Sequence, residues 1–235
     1  MAAPALHEPI DDFAAFGIRA FTTNRADGSC SLHGDEPVGV VTARWAALRE
    51  ELGRGGTRRL ATAGQVHGSR VVVHSPGWEG SLRVDAADGH ASVERGTAMA
   101  VTVADCVPVF VAHPGGATAI LHSGWRGTVG RITERGIEAL AHRGVPVGEL
   151  HVHLGPAICG KCYEVSPEVY GQLTGRTVDR PTTVDLRSLI ADAARAAGVR
   201  HLSVSPLCTR CDNDRLFSHR AGDAGRQLGV IVADA

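Results

Sequence analysis

Neither sign of charge dominates this 235-residue chain: 24 Lys and Arg stand against 25 Asp and Glu, a net charge of −1. Without a basic excess there is no electrostatic reason to expect nucleic acid or an anionic membrane as partner, and no run of like charge suggests a tail. No stretch reaches 18 consecutive apolar residues, so a membrane-spanning helix is not expected. The opening MAAPALHEPIDD lacks both a positive n-region and an apolar h-region, which argues against export. A cytoplasmic protein with a small-molecule partner is the expectation. In a reducing compartment its six cysteines should be mostly free thiols, better explained by metal or catalysis than by disulfides.

What is present is enough apolar material, 43% of the residues, to bury a substantial core. The length fits one large domain, 1–235, better than two small ones, with 1–16 a loosely ordered N-terminal extension. The stretch that organises the rest is VTVADCVPVFVAHPGGATAILHSGWRGT (101–128). It reads as two buried strands, 107–112 and 117–122, joined by HPGG. A hairpin closing on Pro114 and Gly115 pairs positions whose numbers sum to 228 or 229, which sets Cys106 opposite His122 or its neighbour. Opposed side chains have Cβ atoms roughly 4.5–5.5 Å apart, close enough to share a proton or a metal. Cys106 and His122 are then either a nucleophile with its base or two ligands of a zinc ion that needs a third. His67, in GQVHG (64–68), is the best third candidate.

Around this hairpin, periodicity predicts a strand at 17–23 and a helix over 37–52 with Val41, Trp45, Leu48 and Leu52 on its core face. Strands at 59–62 and 70–74 flank the turn that displays His67. A helix over 128–142 is predicted with Val129, Ile132, Gly136, Ile137 and Leu140 inward, so that SGWRG (123–127) lies between His122 and a helix N-terminus. Unpaired N–H groups there, beside Arg126, suggest an anion site with phosphate the obvious ligand. A strand at 151–155 carries His151 and His153 on one face, a pairing usually solvated rather than metal-bound. A helix over 184–199, a strand at 201–205 and a last strand at 228–232 complete an α/β (α+β) pattern of mixed sheets flanked by helices.

Two CxxC pairs, Cys159 with Cys162 and Cys208 with Cys211, match the knuckles of a structural zinc site, although the long segment between them exceeds the usual ribbon spacing. Free thiols or a local disulfide are the alternatives.

Six segments fall in an order that resembles a known family: QVHG (65–68), ADCVPV (104–109), HSGWRG (122–127), GPAIC (155–159), CYEV (162–165) and FSHR (217–220). They resemble the YfiH/YlmD family, also called the laccase or multicopper polyphenol oxidase domain and shared with the mammalian protein FAMIN. The likeness runs from about 21 to 232. It implies two mixed sheets with helices outside, a fold related to toxin deamidases that use a Cys–His pair. It also implies zinc held by His67, Cys106 and His122, which are then the catalytic centre. The implied reactions are phosphorolysis of adenosine, inosine, guanosine and S-methyl-5′-thioadenosine, and deamination of adenosine; the implied partners are a nucleoside and phosphate. Gln65, Asp88 and Arg126 fall at matched positions and are the substrate-side candidates. The family's N-terminal loop carries an arginine and an Asn-Leu-Gly segment; here the loop is shorter, the segment is missing before 33–37, and Arg25 is the candidate replacement.

Three rivals follow from the same residues. A copper polyphenol oxidase fits poorly, because multicopper sites use repeated HxH motifs and only one occurs here, though copper could enter a His2Cys site. A Cys106–His122 hydrolase is the second, since the family includes editing of peptidoglycan precursors that carry the wrong amino acid. The third is a non-enzymatic zinc module.

Overall fold

Three runs of the chain are buried at successive rather than alternate positions: Thr97–Val103, Val107–Ala112 and Gln227–Ala233. Strands of this kind need cover on both faces. In the computed structural model, which describes residues 7–32, 34 and 36–235, they lie near the middle of two six-stranded mixed sheets. The first sheet has the order β1 (His7–Pro9), β2 (Ile18–Thr23), β14 (Gln227–Ala233), β7 (Thr97–Val103), β3 (Arg59–Ala63), β5 (Gly80–Val84). The second runs β13 (His201–Val204), β10 (His151–Leu154), β8 (Val107–Ala112), β9 (Thr118–Ser123), β6 (Gly89–Ser92), β4 (Val71–Val73). Two short strands, β11 (Glu164–Val165) and β12 (Thr182–Thr183), pair separately.

The sheets face each other across a shared core in which Met99, Val101 and Ile231 of the first meet Phe110 and Ile120 of the second. Alternate residues of the same strands point outward. Val107, Val109, Val111 and Leu121 pack under helices α3 (Ile132–Ala141) and α5 (Leu186–Ala196). On the far side, Ala98, Ala100, Val230 and Val232 pack under Trp45, Leu48 and Leu52 of helix α1 (Val38–Gly53). The result is four layers, helix on sheet on sheet on helix, the expected mixed architecture. Among the described residues no helix is long and apolar enough to cross a membrane.

Three expectations need correction. The extension is ordered from His7 onward: Asp11–Phe16 forms a 3-10 turn with Phe13 fully buried, a burial that contributes about 1.5–3 kcal/mol. Residues 1–6, and positions 33 and 35 of the shortened loop, lie outside the described residues. The hairpin register sums to 230, with Val107 opposite Ser123 and Pro108 opposite His122. The turn is longer than expected, closing through the Gly116 N–H to the His113 carbonyl with Gly116 at φ 99°, so Cys106 lies beyond the ladder, beside Gly124. Finally, the helix expected over 128–142 is two: α2 (Trp125–Val129) and α3, separated by Gly130 and by Arg131 at φ 62°. The break leaves Val129 exposed instead of inward. The remaining helix, α4 (Pro167–Thr174), is capped by the Ser166 hydroxyl, which accepts the Val169 N–H at 3.3 Å.

Candidate metal centre

The open end of the β8–β9 hairpin is held in an unusual shape. Asp105 has φ 83°, and its carboxylate is gripped from two sides, by the Thr209 hydroxyl at 2.6 Å and the Arg220 N–H at 2.7 Å. This anchors the neighbouring Cys106, whose sulfur lies over Gly124. A Cβ added at Gly124 would fall 2.7 Å from Cys106 Sγ, so only glycine leaves the sulfur its place. Gly124→Ala is therefore expected to displace the Cys106 sulfur and lower the metal content of the purified protein, read by elemental analysis, without unfolding it. An alanine variant with the wild-type metal content and turnover would show that the close approach is irrelevant.

The second arm of the site is the turn that carries His67, itself at φ 58°. A non-glycine residue held there costs roughly 1–2 kcal/mol, and the buried carboxylate of Asp88 offsets that cost. It accepts the N–H groups of Val66 at 3.2 Å, His67 at 2.9 Å and Gly68 at 2.7 Å. The same carboxylate accepts His122 Nδ1–H at 2.9 Å. One buried group thus orients both histidines, and it fixes the His122 tautomer so that Nε2 is left for a metal or a proton. The ligand atoms of His67, Cys106 and His122 all lie within 4.8 Å of one another, and the two imidazoles meet edge to face at 4.9 Å. Gly127 lets α2 close on this turn, since a Cβ there would lie 3.3 Å from the Gly68 carbonyl oxygen.

Charge in the cluster is strongly coupled. Burial pushes the Cys106 thiol up, but the His122 charge and hydrogen bonds from His122 and His67 outweigh it and hold the thiol down, at about 6. Burial pushes His122 down, but the Cys106 thiolate and Asp88 outweigh it and raise the imidazole to about 9. Burial likewise opposes the Asp88 charge, yet its bonds to His122, Gly68 and Val66 leave the carboxyl below its ordinary value. Cys106 is therefore held as the thiolate, the form that ligates metal. One soft thiolate and two imidazoles, one of them backed by a carboxylate, suit a tetrahedral zinc with an open fourth position, and would also accept copper.

The other sequence candidates divide. Gln65 spends its amide on β7: Nε2 donates to the Thr102 carbonyl at 2.9 Å, and Oε1 accepts the Thr102 N–H at 2.7 Å. Arg126 is exposed on α2 and stacks on Trp125 at 4.4 Å; it makes no ion pair among the described residues. Arg25 is committed elsewhere, to Asp223 at 2.5 Å and to the Phe217 ring. His151 stacks on His201, and His153 bonds Ser203 at 2.8 Å; among the described residues neither joins a metal-ligand cluster. Cys159, Cys162, Cys208 and Cys211 do converge, with their sulfurs within 4.8 Å of one another.

Two rim residues had no role in the sequence reading although their motifs stood in it. Arg220 of FSHR (217–220) lies over the ring of Tyr163 of CYEV (162–165) at 5.1 Å. Burial and the negative charge at Cys106 push the Tyr163 phenol up to about 12, so it stays protonated at neutral pH.

Comparison with known proteins extends the likeness to nearly the whole chain. A Mycobacterium tuberculosis protein named purine nucleoside phosphorylase is 37% identical over 222 residues, covering 86% of both chains. A protein named adenosine deaminase RL5, from an unknown prokaryotic organism, is 32% identical over 244 residues, 91% of this chain and 90% of its own. The crystal structure of YlmD from Geobacillus stearothermophilus superimposes with a TM-score of 0.84 at 27% identity, over 93% of each chain. The family model described as multi-copper polyphenol oxidoreductase laccase matches residues 22–234. Layered sheets, ordered motifs and this match lead to one assignment: the chain belongs to the multi-copper polyphenol oxidoreductase laccase family, the YfiH/YlmD proteins.

Proposed function

We propose that this protein is a zinc-dependent purine nucleoside enzyme of the cytoplasm. It cleaves adenosine, inosine, guanosine and S-methyl-5′-thioadenosine with phosphate, releasing the base and the sugar 1-phosphate, and it also deaminates adenosine. The observation that carries this reading is the convergence of His67, Cys106 and His122 on one point, with Asp88 orienting both imidazoles. The names of the relatives support the substrate class. Zinc held by those three residues would supply a Lewis acid.

The chain's own groups supply the rest. Arg126, on the rim without a carboxylate partner among the described residues, holds phosphate by charge-assisted hydrogen bonds. This is the side chain's work alone, because α2 is a single short turn. The protonated Tyr163 offers a hydrogen-bond donor. The donor set weighs against a multicopper oxidase despite the family description. Of 12 histidines, only His67 and His122 join a metal-ligand cluster among the described residues, too few for several coppers. A second reading rests on the thiolate and imidazolium character of Cys106 and His122, which would suit a nucleophile and its base. That enzyme would resist chelators and be killed by thiol alkylation.

The direct test incubates zinc-loaded protein with adenosine, with and without phosphate, and identifies the products. Adenine and ribose 1-phosphate are expected only with phosphate, and inosine in either case. Zinc-loaded protein that converts none of the four nucleosides would overturn the proposal. Arg126→Ala removes a charge-assisted contact that contributes ~1.5–3 kcal/mol. It should raise KM for phosphate by roughly 10- to 100-fold at that magnitude, while deamination of adenosine is nearly unchanged. An equal loss in both reactions would remove Arg126 from the phosphate site.

A further inference from the structure

We propose that Cys159, Cys162, Cys208 and Cys211 form a second, structural zinc site, distinct from the His67 centre. The four residues are the ends of two similar turns, Cys-Gly-Lys-Cys (159–162) and Cys-Thr-Arg-Cys (208–211). In the first turn the Cys162 N–H closes on the Cys159 carbonyl at 2.9 Å. In the second the Asp212 N–H closes on the Cys208 carbonyl at 2.8 Å, and the Asp212 carboxylate accepts the Cys208 N–H at 2.8 Å. The turns are locked together by an isolated bridge between Ala157 and Cys208.

Distances decide between a metal site and a disulfide. All four thiols are free, and Cys162 Sγ and Cys211 Sγ are 3.5 Å apart, well beyond the ~2.05 Å of a disulfide. Sulfurs at the corners of a tetrahedron with Zn–S bonds of about 2.3 Å lie about 3.8 Å from each other. The observed cluster, with every pair within 4.8 Å, is close to that size before any ion draws it in. The backbone is arranged around one sulfur as well: the N–H groups of Cys159 and Cys211 both point at Cys208 Sγ, at 3.3 and 3.5 Å. Four sulfur ligands fill a tetrahedral zinc and leave no open position, which makes the site structural rather than catalytic.

The place of this cluster explains what it would stabilise. Residues 155–163 and 205–226 contain almost no regular structure, so no β ladder fixes them, yet they support the other centre. Thr209 and Arg220 grip Asp105, next to Cys106, and Tyr163 directly follows Cys162 on the rim. An ion that joins the two turns ties these supports to each other.

The test reads metal, not turnover, so it stands or falls apart from the nucleoside reading. Protein purified without chelator is analysed for zinc and for titratable thiols. The His67→Ala/His122→Ala variant should keep one zinc per chain. Cobalt loaded into that variant should give the strong sulfur-to-cobalt charge-transfer bands of a tetrahedral tetrathiolate. Cys159→Ser/Cys211→Ser should lose one equivalent relative to the unmodified protein. If the serine variant does not fold, the cobalt spectrum of the histidine variant alone decides. A histidine variant that holds no zinc, with either freely titrating thiols or a disulfide seen by mass, would overturn the proposal.

Discussion

Cys106→Ser is expected to empty the His67–Cys106–His122 site of metal and to abolish nucleoside turnover with it. A serine hydroxyl is neutral at physiological pH and is a far poorer zinc ligand than the thiolate that His122 and His67 hold in place. The loss should appear as the disappearance of one zinc equivalent, with any metal at the four-cysteine cluster retained. His67→Ala should have the same effect, because the exposed His67 supplies a ligand and not a proton relay. The thiol-nucleophile alternative predicts the opposite ordering: metal retained by the serine variant, and His122 far more important than His67. Elemental analysis of both variants beside their adenosine turnover separates the two. A fully metallated, inactive Cys106→Ser protein would refute the ligand assignment.

The second large effect is expected at Asp88, which touches no substrate in this account. Its carboxylate accepts three backbone N–H groups and the His122 imidazole. In Asp88→Asn one oxygen becomes an NH2 that must face donors, and the charge opposite His122 disappears. Breaking a buried pair on one side costs ~3–5 kcal/mol, and loss of a carboxylate behind a histidine ligand lowers metal affinity or activity about 10- to 100-fold. The pH dependence has a definite sign. Because the folded carboxyl sits below its ordinary value, its stabilisation is present above the usual carboxylate range and is lost as pH falls through the folded value. Thermal melts across pH should therefore show the wild type losing stability on the acid side and Asp88→Asn losing less, from a lower starting point. Parallel acid limbs in the two proteins would show that Asp88 is not the group responsible.

Much of the architecture was legible because it is written locally. Val41, Leu48 and Leu52 recur at helical spacing and are the buried face of α1; the apolar runs that became β8 and β9 are bounded by HPGG (113–116). The ends of that hairpin, with Cys106 and His122, could be picked out by residue type alone. The register could not, because the turn is longer than its Pro-Gly core suggested and shifts the pairing so that Gly124, not His122, lies beside Cys106. The break between α2 and α3 was hidden for a similar reason: Gly130 is a poor helix former, but a single glycine inside a helical pattern does not by itself end a helix, and it is the approach of Ser69 to Gly130 that marks the place. Asp88 could be picked out only as a substrate-side candidate and not as the group that orients both histidines, since its partners at 66–68 and 122 are remote in sequence. The four cysteines were discounted on spacing, yet the topology brings the two turns together across a long intervening segment. Motif identity gave the residues, whereas their contacts depended on long-range packing.

The central claim is that one metal held by His67, Cys106 and His122 is required for purine nucleoside chemistry. The most direct measurement follows metal content and adenosine turnover in a single preparation through chelation and stepwise return of zinc. Turnover should disappear with the more weakly held equivalent and return in proportion to the zinc restored, up to one per chain at this site. Turnover that survives complete removal of that equivalent and is abolished by thiol alkylation would contradict it.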